Sequence, residues 1–204
     1  MLISVLIPCF NEKKTIEEIV NRINDLKDLN LEIIIIDDNS NDGTKELLKD
    51  KIKDKVSKII FNNKNYGKGY CVKKGIQASN GDAILIQDAD LEYDPSDYPK
   101  LIKPIENGSA DVVYGSRFLG GDERRVLYFW HSLGNKLLTI FSNMFTNLNL
   151  TDMEVGYKLF KSDILKDINL VENRFGIEPE VTAKISKKKI RIFEVGISYY
   201  GRKY

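Results

Sequence analysis

Short β-branched runs alternate with helical patterns through the first half of this chain, and that alternation restricts the fold more than any other feature. The runs are "LISVLIPC" (2–9), "EIIIID" (32–37), "SKIIF" (57–61), "DAILIQ" (82–87) and "DVVYG" (111–115). Between the first two, in "EKKTIEEIVNRINDLKDL", Ile16, Ile19, Val20, Ile23 and Leu26 recur at spacings of three and four. Such spacing marks one face of a helix, and Thr15 and Glu18 are spaced like a capping box. Strand–helix alternation predicts an α/β fold, a parallel sheet covered by helices. Continuously apolar strands suit burial on both faces. The second half differs: a long aromatic and aliphatic segment, Val126 to Leu150, precedes "GYKLFK" and a C-terminal strand in "KIRIFEVGISYY". No repeat or Pro/Gly-rich linker divides the 204 residues, so one domain is expected.

Charge and cysteine usage narrow the classes. A net charge of +1 argues against a nucleic-acid partner, which would require a strong basic excess. Two cysteines, Cys9 and Cys71, make neither a disulfide framework nor a zinc spacing, and point to a reducing compartment. The opening "MLISVLIPCF" lacks the basic start of a signal peptide. No stretch reaches the ~20 apolar residues of a membrane span.

Open α/β sheets bind ligands outside the carboxyl ends of their strands. Polar clusters stand at three such ends: "PCFNE", "DDNSNDG" and "QDAD". Any one of them could be a turn or a helix cap, as "NSNDG" well illustrates. Three at one sheet edge favour a polar ligand site. In "LIQDADLEYDP", Asp88 and Asp90 project to one side of an extended segment, and Glu92 extends the row. Crowded carboxylates repel unless a cation or protons share the site. Hard oxygen ligands select Mg²⁺ or Mn²⁺, which pair a carboxylate or two with substrate phosphates. In "NYGKGY" the glycines allow a tight turn into a helix near Gly69 and leave Lys68 available to an anion, though neither standard phosphate-loop pattern matches. Arg117 and Arg202 are candidate phosphate clamps, because a guanidinium fork suits phosphate oxygens. Rival readings use the same acids. A receiver domain would end its first strand in the acid pair, and an aspartyl phosphatase would place its motif near the chain start with Thr or Val soon after. A non-catalytic nucleotide-binding module remains a third.

In order, "VLIPCFNE", "IIIIDDNSNDGT", "NYGKGYCVKKGI", "GDAILIQDADLEYDP", "DVVYGSRF" and "TDMEVGYKLF" resemble the inverting family 2 glycosyltransferases of the GT-A fold. Within that family the chain is similar to the polyprenyl-phosphate sugar synthases, on the Arg after the fifth run and the terminal "YYGR". The resemblance implies a Rossmann-like, mostly parallel central sheet flanked by helices, with a nucleotide-sugar-binding half (1–118) and an acceptor-binding half (119–204). It implies that Pro8, Phe10, Glu12 and Asp38 line the base and ribose pocket of a GDP- or UDP-hexose, and that Asp88 and Ala89 lie along the nucleotide. Asp88, Asp90 and Glu92 would hold the metal, although the synthases commonly show Gln where Glu92 stands. Arg117 and Arg202 would grip the phosphate of a polyprenyl (dolichyl or undecaprenyl) acceptor. If the acceptor were instead a glycan hydroxyl in cell-surface polysaccharide synthesis, a base would be needed. Asp152 and Glu154 are its candidates, with Glu178 and Glu180 behind them. Relatives continue past the point where "GRKY" ends. The expected setting is the cytoplasm, at the cytoplasmic face of a membrane. Peripheral membrane contact would run through Val126–Leu150, whose apolar residues at helical spacing fit either an interfacial helix or a core helix.

Overall fold

Each apolar run becomes a strand. The computed structural model describes residues 1–120, 126 and 128–201. Among the described residues seven strands form one sheet: β1 (Leu2–Cys9), β2 (Asn30–Asp37), β3 (Lys58–Phe61), β4 (Ala83–Ile86), β5 (Val112–Ser116), β6 (Lys158–Lys161) and β7 (Ile192–Gly196). Their spatial order is β3-β2-β1-β4-β6-β5-β7. All pairs are parallel except those of β6, which runs antiparallel to β4 and to β5. Register pairs Cys9 with Asp37 and Leu6 with Ile86, so β1, β2 and β4 deliver their carboxyl ends to one edge. Because β6 runs the other way, Lys158 pairs with both Ile86 and Tyr114 at that edge. The segment before it, with Asp152 and Glu154, arrives there too.

The helices are α1 (Ile16–Asn24), α2 (Thr44–Leu47, running into a π-helical turn), α3 (Lys68–Ala78), α4 (Tyr98–Glu106), α5 (Phe129–Thr146), α6 (Ser162–Lys166) and α7 (Ile177–Ile185). In α1, Ile16, Ile19, Val20 and Ile23 are fully buried, as their spacing predicts. Each such side chain contributes about 1.5–3 kcal/mol by leaving water. The capping box does not form. Thr15 stands at the N-cap, but its hydroxyl donates to Glu12 Oε2 at 2.8 Å, and Glu18 turns to Arg22 Nε at 2.9 Å. The core runs along β1, β2 and β4, whose Ile side chains are buried on both faces.

The segment after β5 does not cover the sheet. In α5 only Thr139 is buried, while Trp130 is 76% and Phe145 87% exposed. The core-helix reading of this segment therefore fails. Among the described residues, no helix is long and apolar enough to cross a membrane.

Candidate active site

Two cavities of about 500 Å³ each lie at the carboxyl edge of the sheet. The first collects Pro8 at the end of β1, Phe10 and Glu12 after it, Asp38 after β2, Lys68 at the start of α3, and Asp88, Ala89 and Asp90 after β4. All eight were expected on a donor site from the sequence. Arg174 and Phe175, from the loop before α7, close the same cavity and went unforeseen.

Each wall has a local cause. The loops after β1 and β2 are stitched together: Asn41 N donates to Asn11 Oδ1 at 2.9 Å, and Asn11 N to Ser40 Oγ at 2.9 Å. Asn11 and Asn39 adopt left-handed backbone, which asparagine tolerates. Asp42 accepts from Thr44 N at 3.0 Å, so part of "DDNSNDG" is indeed a cap. Asp38 is buried and accepts from Tyr66 N, Gly67 N and Asn62 Nδ2, at 3.0, 2.7 and 2.8 Å, which ties down the turn into α3. That turn needs glycine. A Cβ on Gly67, at φ 103°, would come within 2.6 Å of the Asn173 carbonyl oxygen, and one on Gly69 within 2.6 Å of the Glu172 carbonyl oxygen. The loop carrying Arg174 can reach the cavity only because both positions lack a side chain.

The end of β4 is locked from behind. Gln87 is buried, accepts the hydroxyls of Tyr98 (2.8 Å) and Tyr157 (2.6 Å), and donates to the Asp88 carbonyl at 2.9 Å. Asp88 Oδ2 packs on Gly156, where a Cβ would stand only 2.3 Å away. Asp88 Oδ1 meets Lys68 Nζ at 2.7 Å, and the same ammonium faces Glu178 Oε1 at 3.2 Å. Burial alone would lower the Lys68 pKa, but Asp88 and then Glu178 outweigh it and hold the ammonium firmly charged. Lys68, expected to be available to an anion, is thus already engaged by two carboxylates.

The expected metal trio is not assembled. Among the described residues no three His, Cys, Asp or Glu side chains stand close enough to share an ion. Strand β4 ends at Ile86 and the chain bends through 89–92, so the alternation that would align Glu92 with Asp88 and Asp90 is lost. Glu92 instead lines the second cavity and accepts from the Tyr199 hydroxyl at 3.0 Å. Asp88 and Asp90 still share one cavity wall. Two carboxylates in one cavity wall fit the donor set that Mg²⁺ or Mn²⁺ takes.

The second cavity sets Arg117, Glu92, Glu154 and Tyr199 against Trp130 and Leu138. Arg117 is held as a fork: Nε to Asp152 Oδ2 and Nη2 to Oδ1, both at 2.7 Å, with its own backbone N–H on Oδ2 at 3.1 Å. Asn135 Nδ2 adds a bond to Oδ1 at 3.0 Å. Fully buried and bonded on both oxygens, Asp152 has no lone pair placed for an acceptor proton. Its expected role as a base is therefore replaced by that of a clamp orienting Arg117. Burial raises the pKa of Glu154, partly opposed by Lys158. Burial and then Glu92 push the Tyr199 hydroxyl up to about 12. Arg202 lies outside the described residues.

A mostly parallel sheet with acidic and glycine turns along its carboxyl edge is the GT-A arrangement of glycosyltransferases. The model of glycosyl transferase family 2 matches residues 4–168. The chain belongs to that family. It is 31% identical over 193 residues to a dolichol-phosphate mannosyltransferase of Pyrococcus furiosus, covering 93% of this chain and 54% of the relative. An undecaprenyl-phosphate 4-deoxy-4-formamido-L-arabinose transferase of Aeromonas hydrophila is 27% identical over 200 residues, covering 96% and 59%. The chain thus spans little more than half the length of these two relatives. Glucosyl-3-phosphoglycerate synthase of Mycobacterium tuberculosis, solved with Mn²⁺, uridine diphosphate and phosphoglyceric acid, shares the fold at a TM-score of 0.74 and 18% identity, covering 98% of this chain and 71% of that one.

Proposed function

We propose that this chain transfers a hexose, with inversion, from a nucleoside-diphosphate sugar in the first cavity to a polyprenyl phosphate in the second. The observation that carries this reading is the second cavity itself. One guanidinium, fixed by Asp152, faces a wall built of Trp130, Leu138 and Tyr128, and that wall continues onto the exposed face of α5. A phosphate on a hydrocarbon chain matches both halves; a hydrophilic glycan matches only one.

The donor's base and ribose would lie along Pro8, Phe10, Glu12 and Asp38, and its diphosphate near Lys68, Asp88 and Asp90. Asp88 and Asp90 would hold a divalent ion, which would neutralise the charge of the diphosphate leaving group. Arg117 orients the acceptor phosphate through charge-assisted bonds, and Arg202 is proposed to share that task. A phosphate monoester has a second pKa of about 6, so it is largely ionised at neutral pH and attacks without a base. The full engagement of Asp152 supports this. The lipid acceptor places the protein at a membrane surface, proposed as the cytoplasmic face. The free, buried Cys9 and Cys71 agree with a reducing compartment.

A second reading, transfer to a hydroxyl, rests on Glu154, a carboxyl of raised pKa in the acceptor cavity. One experiment separates the two. Products from a panel of UDP- and GDP-hexoses are analysed by mass spectrometry with a short-chain polyprenyl phosphate and, in parallel, with its dephosphorylated alcohol and a simple glycoside. Transfer to the phosphate alone is expected. Transfer only to hydroxyls would overturn the lipid-phosphate reading.

A further inference from the structure

Four charged side chains of alternating sign run from the core to the wall of the donor cavity. Lys158, fully buried on β6, is bonded through Nζ to Glu178 Oε2 at 2.5 Å and to the carbonyl of Val155. Glu178 Oε1 faces Lys68 Nζ at 3.2 Å, and Lys68 Nζ meets Asp88 Oδ1 at 2.7 Å. Lys68 and Asp88 line the cavity, whereas Glu178 and Lys158 stand behind it. Such an arrangement exceeds what is needed to neutralise Glu178, since Lys158 alone is a full partner for it. It gives Lys68 two anions, one in the wall and one behind.

A divalent ion on Asp88 and Asp90 would meet the Lys68 ammonium on the same carboxylate. Like charges at such a separation, in a partly desolvated site, are strongly unfavourable. Asp88 has little freedom to separate them by turning, because its Oδ2 is packed against Gly156. Lys68 is the mobile partner, and its second anion is already within reach.

We propose that Lys68 is the exchangeable counter-ion of Asp88: a divalent ion takes its place on the carboxylate, Glu178 retains the displaced ammonium, and the donor diphosphate then receives it. The proposal rests on the reading of Asp88 and Asp90 as metal ligands. It assigns Glu178, which touches neither donor nor metal, a positioning role. Charge balance supports it. Without the ion, Lys158, Glu178, Lys68, Asp88 and Asp90 carry one net negative charge; with the ion held by the two aspartates they carry one net positive charge, facing where the anionic donor enters.

The test is Mn²⁺ binding without nucleotide, read by electron paramagnetic resonance of the free ion. Lys68→Met should bind Mn²⁺ about tenfold more tightly than wild type, since the competing cation is gone. Glu178→Gln should bind it more weakly, since Lys68 then has only Asp88 to hold. Both variants are checked for folding by circular dichroism. A measurement on the wild type stands if either fails to fold: acetylation of Lys68 by acetic anhydride, quantified by peptide mass spectrometry, should rise when Mn²⁺ is added and fall again when UDP or GDP follows. Equal or weaker Mn²⁺ binding by folded Lys68→Met, or Lys68 acetylation indifferent to Mn²⁺, would overturn the exchange while leaving the metal reading intact. No Mn²⁺ binding by wild type and variant alike, with or without nucleotide, would overturn the metal reading and the exchange with it.

Discussion

At the scale of single residues, Arg117 and Asp152 work as one unit. Asp152→Ala leaves a desolvated guanidinium without its fork, and breaking such a buried pair costs about 3–5 kcal/mol. Urea denaturation should show that loss. Arg117→Ala should raise KM for polyprenyl phosphate or lower kcat, about tenfold or more, with donor affinity by calorimetry nearly unchanged. Loss of donor binding would contradict the assignment of Arg117 to the acceptor. Glu154 has its own signature. Its folded-state pKa lies above the unfolded value, chiefly through burial. Any stability it contributes is therefore complete below the ordinary carboxylate range and lost as pH rises through the raised pKa. Glu154→Gln should match the wild type in thermal melts at acid pH and be the more stable of the two at neutral pH. Transfer to a phosphate acceptor should survive that substitution. These roles were unevenly legible in sequence. Asp88 and Asp90 could be read because they follow a strand directly. Glu92 could not be placed, because alternation holds only while the chain stays extended, and it bends through 89–92. Arg174 carried no signal, since its place depends on two glycines about a hundred positions earlier in the chain.

Elements show the same division. The longer strands β1 and β2 announced themselves, because each carries a run of five consecutive buried residues that is mostly Ile, Leu and Val. The four-residue β6 did not, and nothing in "KLFK" tells parallel from antiparallel. Yet its reversed direction brings Asp152, Glu154 and Gly156 to the site. For α5 the sequence allowed a core helix or an interfacial one, and exposure decides against the core. Its outward face shows Phe129, Trp130, Leu137, Phe141, Met144 and Phe145. An apolar helical face beside the acceptor cavity suits shallow burial among lipid headgroups. Wild-type protein should therefore co-sediment with anionic liposomes. Phe129→Ala with Trp130→Ala should weaken that association by about a hundredfold or more, since each aromatic side chain is worth about 1.5–3 kcal/mol when removed from water and about 1.4 kcal/mol is tenfold. Nucleotide binding should be untouched. Indifference of the wild type to liposomes would mean that this chain does not dock through α5.

At the scale of the whole molecule, the two cavities are lined by different residues. The segment after β4 turns Asp88 and Asp90 toward one and Glu92 toward the other. Gln87, gripped by Tyr98 and Tyr157, fixes the root of that segment. On the proposed reading, donor and acceptor would bind through different residues, and their binding energies should be separable. A ligand that binds only the folded chain stabilises it by RT ln(1 + [L]/Kd), about 2.7 kcal/mol at a hundredfold excess over Kd. For a domain of this size that corresponds to a rise in Tm of roughly 5–10 °C. UDP or GDP with Mn²⁺ should produce such a rise in the wild type and in Arg117→Ala alike. In Asp90→Ala the fold should persist while most of the Mn²⁺-dependent part of the rise disappears. A short-chain polyprenyl phosphate should give the converse: a shift retained in Asp90→Ala and lost in Arg117→Ala. If either substitution abolished both shifts, the cavities would be one coupled site, and the separate assignment of donor and acceptor would have to be abandoned.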